Sequence, residues 1–222
     1  MSNTGRGQAR LILWSALLTG LCLGATLSFP FWYGLSLFYA PALIRKQLSG
    51  YLSPDTTPDL WLPGVVVGGV AWGIALGWLS GIRPLWRLGV AGGVGVLVAE
   101  YIALSSPLIN LDRALWPGAP NHIRWAMDLT FGLGIGGGAT ALAVGLAIRP
   151  GFAALWLAFG VTLAAALPAW IIHMGLDALG IRWGAGNANM AKVVGLAFPA
   201  ATLSAGALIG WYIARFGPQH RS

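Results

Sequence analysis

The chain has 222 residues, of which 57% are hydrophobic and 9% charged, with a net charge of +7. A soluble domain carries about 25% charged residues, so this composition cannot cover a water-facing surface. Repeated apolar runs of about 18 residues or more define instead an all-α, polytopic integral membrane bundle, and no apolar–polar alternation speaks for a transmembrane barrel.

The single Cys22 excludes an intrachain disulfide and a CxxCH haem attachment. The basic balance is read as the cytoplasmic bias of Lys and Arg in membrane proteins, so no nucleic-acid partner is expected. Arg6 and Arg10 precede an apolar run that imitates a signal peptide. The stretch LTGLC ending at Cys22 has the shape of a lipoprotein cleavage site, but Leu21 stands where a small residue is wanted. Further apolar runs follow, so this one is read as a retained first span.

Six spans are predicted, at roughly 10–29, 61–80, 86–107, 127–148, 152–173 and 191–215, in one membrane-embedded domain covering 1–222. Residues 30–46 are aromatic, begin at Pro30 and are interrupted by Pro41; they read as an interfacial segment.

Starting from a cytoplasmic N-terminus, the inner side receives Arg6, Arg10, Arg83, Arg87, Arg149, Arg215 and Arg221. The outer side receives Arg45, Lys46, Arg113, Arg124, Arg182 and Lys192, together with all five Asp residues. An N-in, C-in protein of the plasma (inner) membrane is expected. Trp78, Trp86, Trp156 and Trp211 fall near inner ends, and Trp61, Trp116, Trp125, Trp170 and Trp183 near outer ends. Indole prefers the interface, so these read as anchors.

A shift of 66 residues aligns Ile82-Arg83-Pro84 with Ile148-Arg149-Pro150 and gives 12 identities between 61–126 and 127–192. Chance in so Gly- and Ala-rich a chain gives on the order of 6 or 7. A two-span internal repeat is one reading and convergent composition the other. Glycines recur every four residues: Gly69, Gly73, Gly77 and Gly81; Gly89 and Gly93; Gly134 and Gly138; Gly206 and Gly210. Such stripes let helix backbones approach closely, here within the chain in preference to a second subunit.

Glu100 is the only Glu, and the one carboxylate placed at membrane depth, Asp128 standing at the outer end of its span. An ideal helix puts it about 20° from Gly89 and Gly93, some 20 Å from the inner end. It is therefore the candidate functional or packing carboxylate. Asp112, His122, Asp128, His173, Asp177 and Asn187 are the candidate polar residues of the outer face. No HExxH or Cys/His cluster occurs, so neither a metal nor a cofactor is predicted. Haem or pigment ligation through His173 or His122 is disfavoured, because a His at a helix end more often meets headgroups. Ser204 lacks the Gly-x-Ser-Gly setting of an intramembrane serine protease, and GLGIGGGA at 132–139 is no phosphate loop.

The leading expectation is a non-catalytic subunit or scaffold of a larger inner-membrane complex, with the bilayer and other membrane subunits as partners. The alternative is a small-solute permease or substrate-binding component with a site near Glu100. In size and span number the chain resembles the substrate-binding components of vitamin transporters, a likeness of shape that carries no residue. An intramembrane enzyme ranks third.

Overall fold

The computed structural model describes residues 6–22, 57–104, 114–181 and 187–217. The predicted interfacial segment 30–46 and the candidate Asp112 lie outside them. The described residues are helical, with no strand. The helices are α1 (6–22), α2 (Thr57–Ser80), α3 (Leu85–Leu104), α4 (Asn121–Ile148), α5 (Phe152–Ala178) and α6 (Asn187–Phe216).

Three stretches are long and apolar enough to cross a membrane: Asn121–Ile148, Phe152–Ala178 and Gly195–Phe216. Val65–Ser80 and Leu85–Ala99 are shorter apolar helices. The protein is thus a helical membrane protein on length and composition.

Helix α4 starts six residues before its predicted span and α5 ends five residues after its own. The sequence boundaries had followed polarity, which limits burial in lipid but not helix formation; backbone hydrogen bonding continues through His122, Arg124 and Asp177. Real stops come from the backbone. Helix α2 ends at Gly81, whose φ of 68° suits glycine; there the Ile82 N–H reaches the Gly77 carbonyl at 3.0 Å, a Schellman-type closure. Helix α5 closes the same way at Gly180, with the Ile181 N–H donating to Leu176 at 2.9 Å. Pro120 opens α4, its carbonyl accepting from the Ile123 and Arg124 N–H groups. Pro168 and Pro199 lie inside α5 and α6, a placement that membrane helices tolerate.

Consecutive helices α2 to α6 pack side by side, and α6 also touches α4. The contacts are antiparallel: Gly69 meets Gly92, Gly95 meets Thr140, Gly138 meets Thr162 and Gly160 meets Leu208. Helix α1 closes the arrangement between α6 and α2. Gly206 lies against Ser15 and Thr19, and Gly210 against Ile12 and Ser15. The Trp72 indole N–H donates to the Thr19 hydroxyl at 3.1 Å, Thr19 donates to the Ser15 carbonyl at 2.7 Å, and Ser15 donates to the Gly206 carbonyl at 2.9 Å.

Inside this ring of six helices, Trp72, Leu76, Leu88, Val144, Leu157, Ile209 and Tyr212 form the core. These lie within about two or three helical turns of the end that carries the turns at 81–84 and 149–151, and the same core continues through Val96, Val161 and, farther along α2, Val65. Toward the opposite end the buried positions include the small Ala126, Ala165, Ala169, Ala197 and Ala201 beside Val65, Met127, His173 and Val193.

Candidate functional site

Most of the residues singled out from the sequence fall at helix contacts, chiefly that between α2 and α3, or at the far end of α4 and α5.

At the first, the glycines bring two backbones together. A Cβ on Gly69 would stand 2.7 Å from the Gly92 carbonyl oxygen, and one on Gly89 would stand 2.8 Å from Ile74. A Cβ on Gly93 would meet Val70 at 2.7 Å, and one on Gly73 would collide with the Leu88 carbonyl. Gly77 faces Leu85 and Leu88 across the turn. Gly134 packs on Ala166 and Thr162, and Gly138 on Thr162. Gly81 stands apart from these contacts: it is exposed and serves the turn. Gly92, Gly95, Gly136 and Gly145 also sit in close contacts, yet the four-residue stripes did not include them. The readable signal was the density of glycine in α3, where Gly92, Gly93 and Gly95 follow closely in sequence and serve two different neighbours, α2 and α4.

Residue 100 lies on α3 one turn beyond Val96, level with Gly134 to Gly136 of α4, since Gly136 meets Ala99. Its backbone is on the helix side that Gly89 and Gly93 turn toward α2. Its side chain, like that of Asn187 at the start of α6, lies outside the described residues.

At the second place, the α4–α5 register joins residues far apart in sequence. Gly145 sits by Ala154, Gly138 by Thr162 and Gly134 by Ala166, so Asp128 comes level with His173 and His122 with Asp177. The His122 Nε2 atom is 3.6 Å from the Asp177 carboxylate, each side chain about one quarter exposed. One turn deeper, His173 is buried, with Nδ1 3.3 Å from the Ala169 carbonyl. Arg124 donates from Nη2 to the Pro117 carbonyl at 2.5 Å. Asp128 is half-buried, and the buried Thr130 hydroxyl has no hydrogen-bond partner among the described residues.

Arg124, expected only as an outer cation, and Thr130 join this group in the structure. The available signal was their spacing from Asp128 on one helix. No group of three or more His, Cys, Asp or Glu among the described residues is arranged to hold a metal ion.

The His122–Asp177 pair pins the ends of two helices but remains partly wet, and such pairs contribute roughly 0–1 kcal/mol. Asp177→Asn is accordingly expected to shift the melting temperature in detergent by no more than about 4 °C, given about 2–4 °C per kcal/mol for a domain this size. A larger loss in a thermal melt would mean that the carboxylate holds more than His122.

The described residues thus form a helical protein of membrane-type composition, with three helices long and apolar enough to cross a bilayer, a close-packed glycine hairpin and a polar end on α4 and α5. No protein-family model matches the chain, and neither a curated protein nor a solved structure is similar to it.

Proposed function

We propose that the protein is a non-catalytic integral subunit of a larger membrane assembly. The supporting observation is how the buried polar groups are used. Ser80 donates to Leu76, Thr140 to Gly136 and Thr202 to Phe198, while Ser15 and Thr19 tie α1 to its neighbours. These hydroxyls satisfy helix carbonyls and fasten helices; they do not line a route. Trp72, Leu76, Leu157 and Tyr212 fill the interior of the arginine half, and a plugged interior suits a packing component better than a conduit.

In this reading all six helices are membrane spans, with 6–22 the first, and the arginine-bearing end faces the cytoplasm of a plasma (inner) membrane. The 66-residue repeat belongs to the same proposal: shifting α2 and α3 by 66 residues superposes them in sequence on 123–146, inside α4, and on 151–170, which but for Gly151 lies inside α5. Gentle solubilisation of native membranes followed by mass spectrometry tests the proposal. Discrete partner subunits are expected, and recovery of a lone monomer would overturn it.

The second reading is a small-solute-binding membrane component, favoured by the polar end of α4 and α5 and by the buried Thr130 hydroxyl. Under it, Glu100→Gln abolishes binding or uptake; unchanged uptake by the variant removes Glu100 from any site.

A further inference from the structure

Six arginines come together at one end of the bundle. Arg6 and Arg10 begin α1, Arg83 and Arg87 flank the α2–α3 turn, Arg149 follows α4 and Arg215 ends α6; all are exposed. The antiparallel contacts fix this placement, because Gly210 lies by Ile12 and the Tyr212 hydroxyl lies 3.4 Å from the Arg149 carbonyl. The acidic residues of the described helices are at positions 59, 100, 128 and 177, toward the opposite end. Just inside the arginines, Trp14, Trp78, Trp86, Trp156 and Trp211 are 49–72% exposed, each on a different helix. An outward indole girdle under a cationic rim is the arrangement of a headgroup boundary.

One arginine has more around it than charge. The Arg149 guanidinium lies 5.4 Å from the centroid of Phe216, which covers its face and leaves the N–H edges to bind an anion. Its backbone is tied at both ends, the N–H donating to Gly145 at 2.8 Å and the carbonyl accepting from Tyr212. Three residues on, the outward side of α5 carries a shallow depression of about 270 Å³ lined by Phe152, Leu155, Trp156 and Phe159. Its rings stack edge to face, Phe152 on Trp156 at 5.9 Å and Trp156 on Phe159 at 6.1 Å. A cation at headgroup level, followed within the next turns of the chain by an exposed aromatic seat, matches the two ends of one molecule.

We propose that this end holds anionic phospholipid, with a phosphate at Arg149 and an acyl chain against Phe152, Leu155, Trp156 and Phe159. The proposal rests on the membrane reading but not on the subunit role. Charge complementarity selects the occupant: a zwitterionic headgroup offsets its own phosphate with a cation, while an anionic one presents net charge to a rim that has no carboxylate side chain among the described residues. Guanidinium suits phosphate through paired N–H donors.

The test reconstitutes the full chain in nanodiscs of phosphatidylcholine with and without phosphatidylglycerol and counts retained lipids by native mass spectrometry. The wild type is expected to keep phosphatidylglycerol in preference to phosphatidylcholine. Arg149→Gln should lower that retention about fivefold, which is about 1 kcal/mol for one basic residue near an anionic surface. Trp156→Ala should lower it without changing charge. Lys192→Gln, exposed at the opposite end, should leave it unchanged. Equal retention of both lipids, an equal loss in Lys192→Gln, or a polypeptide bound to this face in place of lipid would each overturn the proposal. Circular dichroism and elution volume verify folding, and Arg215→Gln provides a second variant at the same rim. Carbonate extraction separates the two levels: a chain that stays in the membrane but shows no lipid preference defeats the seat alone, and a chain that is released defeats the membrane reading as well.

Discussion

Gly73→Ala is expected to destabilise the protein, although Gly→Ala inside a helix ordinarily helps. Alanine is favoured over glycine by about 1 kcal/mol in a helix interior. At position 73, however, the added methyl would run into the Leu88 carbonyl and stand 3.1 Å from the Gly89 Cα. Both neighbours are backbone, so relief requires α2 and α3 to move apart, which disturbs the paired contacts of Gly69 with Gly92 and Gly89 with Ile74. Overpacking of this kind costs about 1–3 kcal/mol, or roughly 2–12 °C in melting temperature for a domain of this size. Gly175→Ala is the matched comparison, because nothing lies within 4 Å of its added methyl; it should be neutral or stabilising. Thermal melts of both variants in one detergent decide the matter. Equal behaviour would show that the α2–α3 contact has room for a methyl group at position 73.

Gly206→Leu is expected to release α1 from the bundle. A Cβ there would stand 2.5 Å from the Thr19 Cβ and 2.8 Å from the Ser15 carbonyl oxygen. The same approach allows the Ser15 hydroxyl to reach the Gly206 carbonyl. Forcing the helices apart therefore removes that hydrogen bond and strains the chain through Thr19 to Trp72, whose indole is fully buried. A buried donor left without its acceptor costs about 1–3 kcal/mol. Cys22, the only cysteine, lies half-buried on α1 one turn beyond Thr19 and reports the release directly. Its reaction with N-ethylmaleimide in detergent should rise by roughly tenfold or more, tenfold corresponding to 1.4 kcal/mol. Unchanged labelling, in a variant that keeps its helical content, would show that α1 is held by contacts other than this one.

Much of the architecture could be read from the residues alone. The low charge and long apolar runs dictate a membrane-type helical protein, because so few charged groups cannot hydrate a surface. The Ile-Arg-Pro turns at 82–84 and 148–150 are legible because glycine and proline act on the local backbone, and the structure ends and restarts helices there.

Which helix meets which side was decided by tertiary structure. Spacing shows that Gly69, Gly73 and Gly77 share a stripe, but not that Gly92, outside the stripe assigned to α3, is the partner of Gly69. Ser15 and Thr19 are unremarkable in sequence; they matter because Gly206 and Gly210 lie opposite them almost 200 residues away. His122 and Asp177 are likewise joined only through the register of two antiparallel helices. Helical periodicity is a one-dimensional property of each segment. Closing six helices into a ring depends on the fit of all their faces at once, and no single segment contains that information.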